Sequence, residues 1–215
     1  SGTHAMDMSI EQLRRFMDRF TSTLDGLVEG VSLSVRDEVA EYLAQYNELI
    51  PACNARLHSA SALLSRGLRD EALGYESDEP ALLEAVTLLD LSGRPRYNAW
   101  LDALAANGIP EPALPKIEHA VELRAAQDKV AELKPLLDRW RRENLSGASL
   151  AVRMKTLRKL READSDNESW YSCLVACERQ RIMDIEADLK AAVASSDEER
   201  LQSIVAVSYT HLRAH

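Results

Sequence analysis

The sequence predicts an all-α protein, and three observations carry that reading. Ala, Leu, Glu and Arg dominate the 215 residues, and these are helix formers, whereas Phe occurs twice and Ile and Val are sparse. Apolar residues recur at helical spacing along most of the chain. No stretch alternates strictly enough to argue for a strand. The expected architecture has about eight helices, opened by two long ones.

Ser9 precedes IEQLRRFMDRF with Gln12 three positions on, the pairing of a capping box, so a helix starts at Ile10. Ile10, Leu13, Phe16, Met17, Phe20, Leu24, Leu27, Val28 and Val31 then recur at helical spacing and predict an amphipathic helix ending near Gly30. A second helix starts near Ser34 and carries Val39, Tyr42, Leu43, Tyr46, Leu49, Cys53, Leu57, Leu63, Leu64 and Leu68. Pro51 falls inside this stripe, yet the apolar positions stay in phase across it. That predicts one long kinked helix rather than two. Gly67 marks its end or a tight turn.

Shorter helices follow. One covers 68–76, and the next opens at Glu79-Pro80, with Pro80 in its first turn, and carries Leu82, Leu83, Val86, Leu89 and Leu91. After the breaker Ser92-Gly93-Arg94-Pro95, a helix through Tyr97, Trp100, Leu101 and Leu104 stops at Asn107-Gly108. The segment IPEPALP at 109–115 holds Pro110, Pro112 and Pro115. It reads as an extended linker between helical subdomains at 6–108 and 116–206. A helix over 116–133 follows, then a separate one over 135–144 with Pro135 in its first turn. Beyond Ser146-Gly147 come helices over 149–162 and 167–194, separated by ADSDNES, where Asp164, Asp166 and Asn167 supply turn and N-cap chemistry.

Two stretches resemble tetratricopeptide-type helical repeats. ALLSRGLRDEALGYE at 62–76 has the apolar helix, Gly-bearing turn and E-A-L continuation of a repeat's two helices. LRKLREADSDNESWYSCL at 157–174 resembles a closing helix, a D-x-D-N turn and the aromatic-bearing helix that opens the next repeat. The intervals are irregular where a regular array repeats about every 34 residues. The resemblance implies an α-solenoid or irregular helical repeat array whose helix pairs bury their faces on neighbours. The chain is also similar to N-terminal helical regions of uncharacterised planctomycete-type bacterial proteins, a resemblance that implies no activity.

The two ends read differently from the rest. VSYTHLRAH at 207–215 resembles the translation of a sequencing-library adapter, which points to an environmental read and to a natural chain that continues beyond Ala206. SGTHA at 1–5 resembles an expression scar. On this reading the chain is the N-terminal fragment of a longer bacterial protein. The alternative to an interaction or assembly module within that longer protein is the regulatory, non-catalytic portion of an enzyme or toxin whose active domain lies downstream.

The net charge of -9 disfavours attraction to phosphate backbones or anionic membranes, so neither nucleic acid nor membrane is the expected partner of this fragment. Three cysteines, an odd and low count, with no secretory signal in the fragment, read as a reducing cytoplasmic compartment. The charge is uneven. Arg139, Arg141, Arg142, Arg153, Lys155, Arg158, Lys159 and Arg161 crowd the stretch from Pro135 to Ser165. They give either a solvated face or a docking surface for an acidic partner.

Motifs for chemistry are absent from the sequence. There is no HExxH, no phosphate-cradling Gly-rich loop and no G-x-S-x-G serine. His58 and His119 are the histidines outside the two end segments, and His119 projects about 100° from Glu118 on its helix. Cys173 and Cys177, four apart, supply half a zinc site and read as small buried apolar residues; Cys53 reads as core. No cofactor, metal or catalytic residue is therefore assigned. The expected role is non-catalytic protein binding or assembly. Trp140, flanked by Arg139, Arg141 and Arg142, together with Arg158, is the candidate partner-binding group, in the composition of an interface hot spot. Pairing of two copies through the two long N-terminal helices is a further expectation.

Overall fold

The computed structural model describes residues 7–30, 32–195 and 198–213. The scar-like residues 1–5, Val31 and the last two residues of the adapter-like string lie outside the described residues. Among those described, the chain forms nine α-helices and no strand. The fold is all-α, as the composition and periodicity predict. The chain divides into two compact units, Ser1–Lys129 and Val130–His215, and the division falls within one helix.

In the first unit, α1 (Ile10–Glu29) begins on the expected capping box. The Ser9 hydroxyl accepts from Gln12 N–H at 3.2 Å, and Ser9 N–H donates to Gln12 Oε1 at 2.9 Å. Leu13, Met17, Phe20, Leu24 and Leu27 alternate at steps of four and three, so one face of α1 is buried throughout. That face meets α2 (Leu33–Ser65), whose Val39, Leu43, Tyr46, Leu49, Ile50, Cys53, Leu57 and Ala60 are buried in the same register. Phe20 and Tyr46 lie 5.3 Å apart by ring centroid at the centre of this seam. Each fully buried large apolar side chain contributes about 1.5–3 kcal/mol relative to exposure, so the two stripes anchor the unit.

α2 is continuous through Pro51, as predicted. The ring costs the bond to the Asn47 carbonyl, but Pro51 and Asn47 are both exposed, so that carbonyl can be satisfied by water. Gly67 ends the helix pair at φ 75. Its N–H donates to Leu64 O at 3.0 Å while Leu68 N–H donates to Leu63 O at 2.9 Å, a Schellman closure that requires a left-handed residue.

α3 (Arg69–Ser77) packs on α2, and α4 (Leu82–Leu89) packs on α1, α2 and α3. Pro80 precedes α4 rather than sitting in its first turn, because Ala81 is the N-cap residue, and Arg56 of α2 ties down the segment from Tyr75 to Pro80. Its guanidinium donates to Pro80 O at 2.8 Å and Tyr75 O at 3.1 Å. Two acids of that segment, Glu76 at the end of α3 and Glu79 beyond it, cap two helices, Glu79 accepting from Ile10 N–H at 2.9 Å and Glu76 from Leu83 N–H. A 3-10 turn (Leu91–Gly93) leads to α5 (Tyr97–Ala106), which packs back on α1. Helices distant in sequence thus share one core, whereas helices in a stacked array meet only their neighbours.

IPEPALP does not behave as a linker. Pro112 and Pro115 are buried, and two asparagines of α2 grip the segment. Ala113 N–H donates to Asn47 Oδ1 at 3.1 Å, Lys116 N–H donates to Asn54 Oδ1 at 2.8 Å, and Asn54 Nδ2 donates to Leu114 O at 3.4 Å. Asn47 and Asn54 are seven apart, hence on one helical face. The compact units therefore separate at 129/130 and not at 109–115.

The separate helices expected at 116–133 and 135–144 are one, α6 (Ile117–Leu145), with Pro135 inside. The reason repeats that of Pro51: Pro135 and Ala131, the residue whose carbonyl loses its bond, are both exposed. Beyond it, in the second unit, lie α7 (Leu150–Ala163), α8 (Glu168–Ala194) and α9 (Glu198–Arg213). α7 packs on α8 and α8 on α9. The periodicity reading stops at Ala194, so α9, which runs into the adapter-like string, is an addition to it. Both repeat-like stretches fall on packed pairs, α2–α3 and α7–α8.

Candidate partner-binding surface

The second unit is organised around the turn from α6 to α7. Gly147, at φ 66, closes α6 as Gly67 closes α2, with Ala148 N–H donating to Glu143 O at 2.9 Å. Across this corner a buried carboxylate ties the helices. Glu143 Oε1 accepts from the Thr156 hydroxyl of α7 at 2.8 Å and from Arg139 Nε, one turn back, at 3.2 Å. Its other oxygen is buried without a hydrogen bond. Arg139 thus serves to neutralise Glu143, which limits what it can offer a partner.

Trp140 is half-buried and packs with Leu150, Trp170 and Cys177 around the buried Met154, Leu157 and Leu174. It is the wall of a small core rather than a free aromatic. Arg141 is exposed and stands 3.9 Å from Asp138, and Arg142 is exposed. On α7, Lys155 and Lys159 are exposed and Arg158 is half-buried. Arg153 Nε donates to Ala148 O at 3.1 Å, and Arg161 lies 4.6 Å over the Tyr171 ring of α8. The predicted basic group therefore separates by task. Arg139 and Trp140 hold the unit together, and Arg141 and Arg142, with Lys155 and Lys159, face solvent.

Large apolar side chains are exposed beside these cations. Leu145 at the end of α6 is 89% exposed, Val152 opens α7, and Tyr171, Ile182 and Met183 lie on α8. Leu145 follows Arg141 and Arg142 at four and three residues and Val152 precedes Lys155 at three, so each apolar residue shares a helix face with bases. In the first unit, α1 and α2 spend their stripes internally; Leu33 is the exposed large apolar residue of those helices among the described residues.

The other predicted features resolve as follows. Trp100 is buried, with its indole on Asp25, and Trp170 donates to the buried Asp164 at 2.9 Å. Asp164 ends α7, while Asn167 caps α8 through Ser169 N–H at 3.1 Å. The three thiols are unpaired: Cys53 is buried, Cys173 exposed and Cys177 half-buried. Burial pushes the Cys53 thiol up to about 12 and raises Cys177 less strongly. Sequence reasoning missed Glu143 and the meeting of His58 on α2 with His119 on α6, whose rings are 6.2 Å apart. The Arg139–Glu143 spacing of four was a usable signal for the first. The second depends on which helices pack, which no local pattern encodes.

The fold and this surface define an all-α protein of two helical units. No family profile, curated protein or solved structure matches the chain. No described helix is long and apolar enough to cross a membrane.

Proposed function

We propose that this chain is a non-catalytic protein-interaction module that docks an acidic partner on its second unit. One observation carries the reading: around the α6–α7 corner, Leu145 and Val152 stand exposed among Arg141, Arg142 and Lys155. Exposed apolar groups set among like charges are costly to leave in water and suit a complementary surface. The charge balance supports this. Residues 130–215 hold as many bases as acids, so the whole net charge of -9 belongs to residues 1–129. A cytoplasmic setting suits the three free thiols, and an irregular tetratricopeptide-like helical array suits the packed helix pairs α2–α3 and α7–α8.

Affinity capture from cell extract tests it. The wild-type chain should retain a discrete acidic protein that elutes as salt rises. Arg142→Glu with Lys155→Glu should abolish retention, while Arg19→Glu on α1 should not. Retention indifferent to the α6–α7 charges, or none at all, contradicts the proposal.

A further inference from the structure

In the second unit α8 packs on both α7 and α9, and a cleft of about 410 Å³ is lined from all three helices. α7 contributes Ala151, Met154 and Arg158, spaced three and four apart and so on one helix face. α8 contributes Arg181, and α9 contributes Ala206 and Val207. Met154 is buried, the two arginines are half-buried, and the small residues Ala151, Ala206 and Val207 are exposed. The cations thus lie deeper than the small residues around them. Val207 opens the adapter-like string, and the other five residues precede it.

Arg181 carries an uncompensated cost. Its Nε is buried and has no hydrogen bond. A buried donor on a charged group has lost its water and normally finds an acceptor in exchange. Arg158 is already engaged within the chain, so it adds charge to the cleft without being the unsatisfied donor. Two half-buried guanidiniums lining one cleft also repel each other, and an anion bound with them relieves both costs. The planar fork of a guanidinium matches the paired oxygens of a carboxylate or a phosphate. Beside the arginines the wall is apolar, with Met154 as its adaptable part. Small-molecule sites of roughly 300–1,000 Å³ combine a mostly apolar wall with a few polar groups that fix the head, and this cleft has that make-up.

We infer that the α7–α8–α9 cleft binds a small amphiphilic anion, its oxyanion head on Arg181 with Arg158 beside it and its short aliphatic tail against Ala151, Met154 and Ala206. Carboxylate and phosphate monoester heads present the same oxygens to the fork, and titration separates them. The site is distinct from the α6–α7 docking corner, whose Arg141, Arg142 and Lys155 do not line it.

The test is calorimetric titration of the full chain with octanoate and with octyl phosphate, each below its micelle-forming concentration, beside inorganic phosphate and octanol. One equivalent of at least one amphiphile should bind, and the tighter of the two identifies the head. Inorganic phosphate and octanol, each lacking half of the ligand, should bind about tenfold or more weakly. Arg181→Gln should weaken amphiphile binding about tenfold or more, and Arg181→Lys, which keeps the charge but loses the fork, should fall between. Ala151→Trp, at an exposed position, should fill the cleft and abolish binding with helicity unchanged. Arg179→Gln, at an exposed position of α8, should leave binding unaltered, as should Arg142→Glu with Lys155→Glu. No binding of either amphiphile, equal binding of inorganic phosphate, or affinity unchanged in Arg181→Gln and Ala151→Trp overturns the inference. Loss of binding in Arg142→Glu with Lys155→Glu overturns it too, by assigning the anion to the docking corner.

Discussion

The indole nitrogen of Trp100 donates to Asp25 Oδ1 at 2.8 Å, joining α5 to α1 across 75 residues of chain. Arg96, one turn before Trp100, meets the same oxygen at 2.9 Å. The carboxylate satisfies the polar atom of a side chain otherwise sunk in the core, which lets a large indole close the first unit. Asp25→Ala should cost about 1–3 kcal/mol in urea unfolding, because it leaves a buried donor without a partner. Arg96→Ala, which removes a half-exposed ion pair, should cost under about 1 kcal/mol. Equal losses would show that the ion pair and not the indole is what Asp25 serves.

The grip of α2 on the Pro-rich segment is testable by proteolysis. Wild-type chain should resist cleavage at Leu114, since the backbone on both sides of it is tied to Asn47 and Asn54. Asn54→Ala releases one acceptor and one donor and should open the segment, with a stability loss of about 1–2 kcal/mol. Rapid cleavage of the wild type there would restore the linker that composition alone suggests.

Pro135→Ala separates one helix from two. In a continuous α6 the substitution supplies the missing amide to Ala131 and should leave helicity unchanged or higher, with an equal or raised Tm. Had Pro135 begun a new helix, it would sit where proline is preferred, and its removal would be destabilising.

Alkaline pH should act through two buried hydroxyl and thiol groups. Burial raises the Tyr46 phenol well above its ordinary 10.0, and it raises the Cys53 thiol from 9.0 to about 12. Both are held neutral in the folded chain and ionise more readily when unfolded. Their contribution is therefore complete below about pH 9 and falls above it, for Cys53 as pH climbs through about 12 and for Tyr46 from about 10 upward to higher pH still. Unfolding free energy measured from pH 7 to 11 should be flat in this respect at first and then fall. In Cys53→Ala and Tyr46→Phe the fall should be shallower. Tyr46→Phe should also lose about 1 kcal/mol at neutral pH with the bond to Leu89 O. Iodoacetamide at pH 8 should label Cys173 and spare Cys53.

Local patterns in the sequence reach the helices but not their partners. The Ser9–Gln12 box, the stripe from Leu13 to Leu27, the run through Pro51 and the Gly67 and Gly147 stops all follow from spacing and cap chemistry. What escapes are features decided by where a residue faces. Pro51 and Pro135 look alike on the page, and both are tolerated because their lost bonds point to water. Pro112 and Pro115 read as linker because nothing near them announces Asn47 and Asn54. At the candidate surface the crowding of cations is legible. Its separation into Arg139, spent on Glu143, and Arg142, facing solvent, is not, since it depends on Thr156 reaching across the corner.

Site-specific photo-crosslinking from position 142 tests the docking reading most directly. With a photoreactive residue in place of Arg142, irradiation in cell extract should give one discrete adduct of higher mass, and excess wild-type chain should compete it away. The same group in place of Arg19 should give none. No adduct from position 142, or the same adduct from both positions, would contradict a partner seated at the α6–α7 corner.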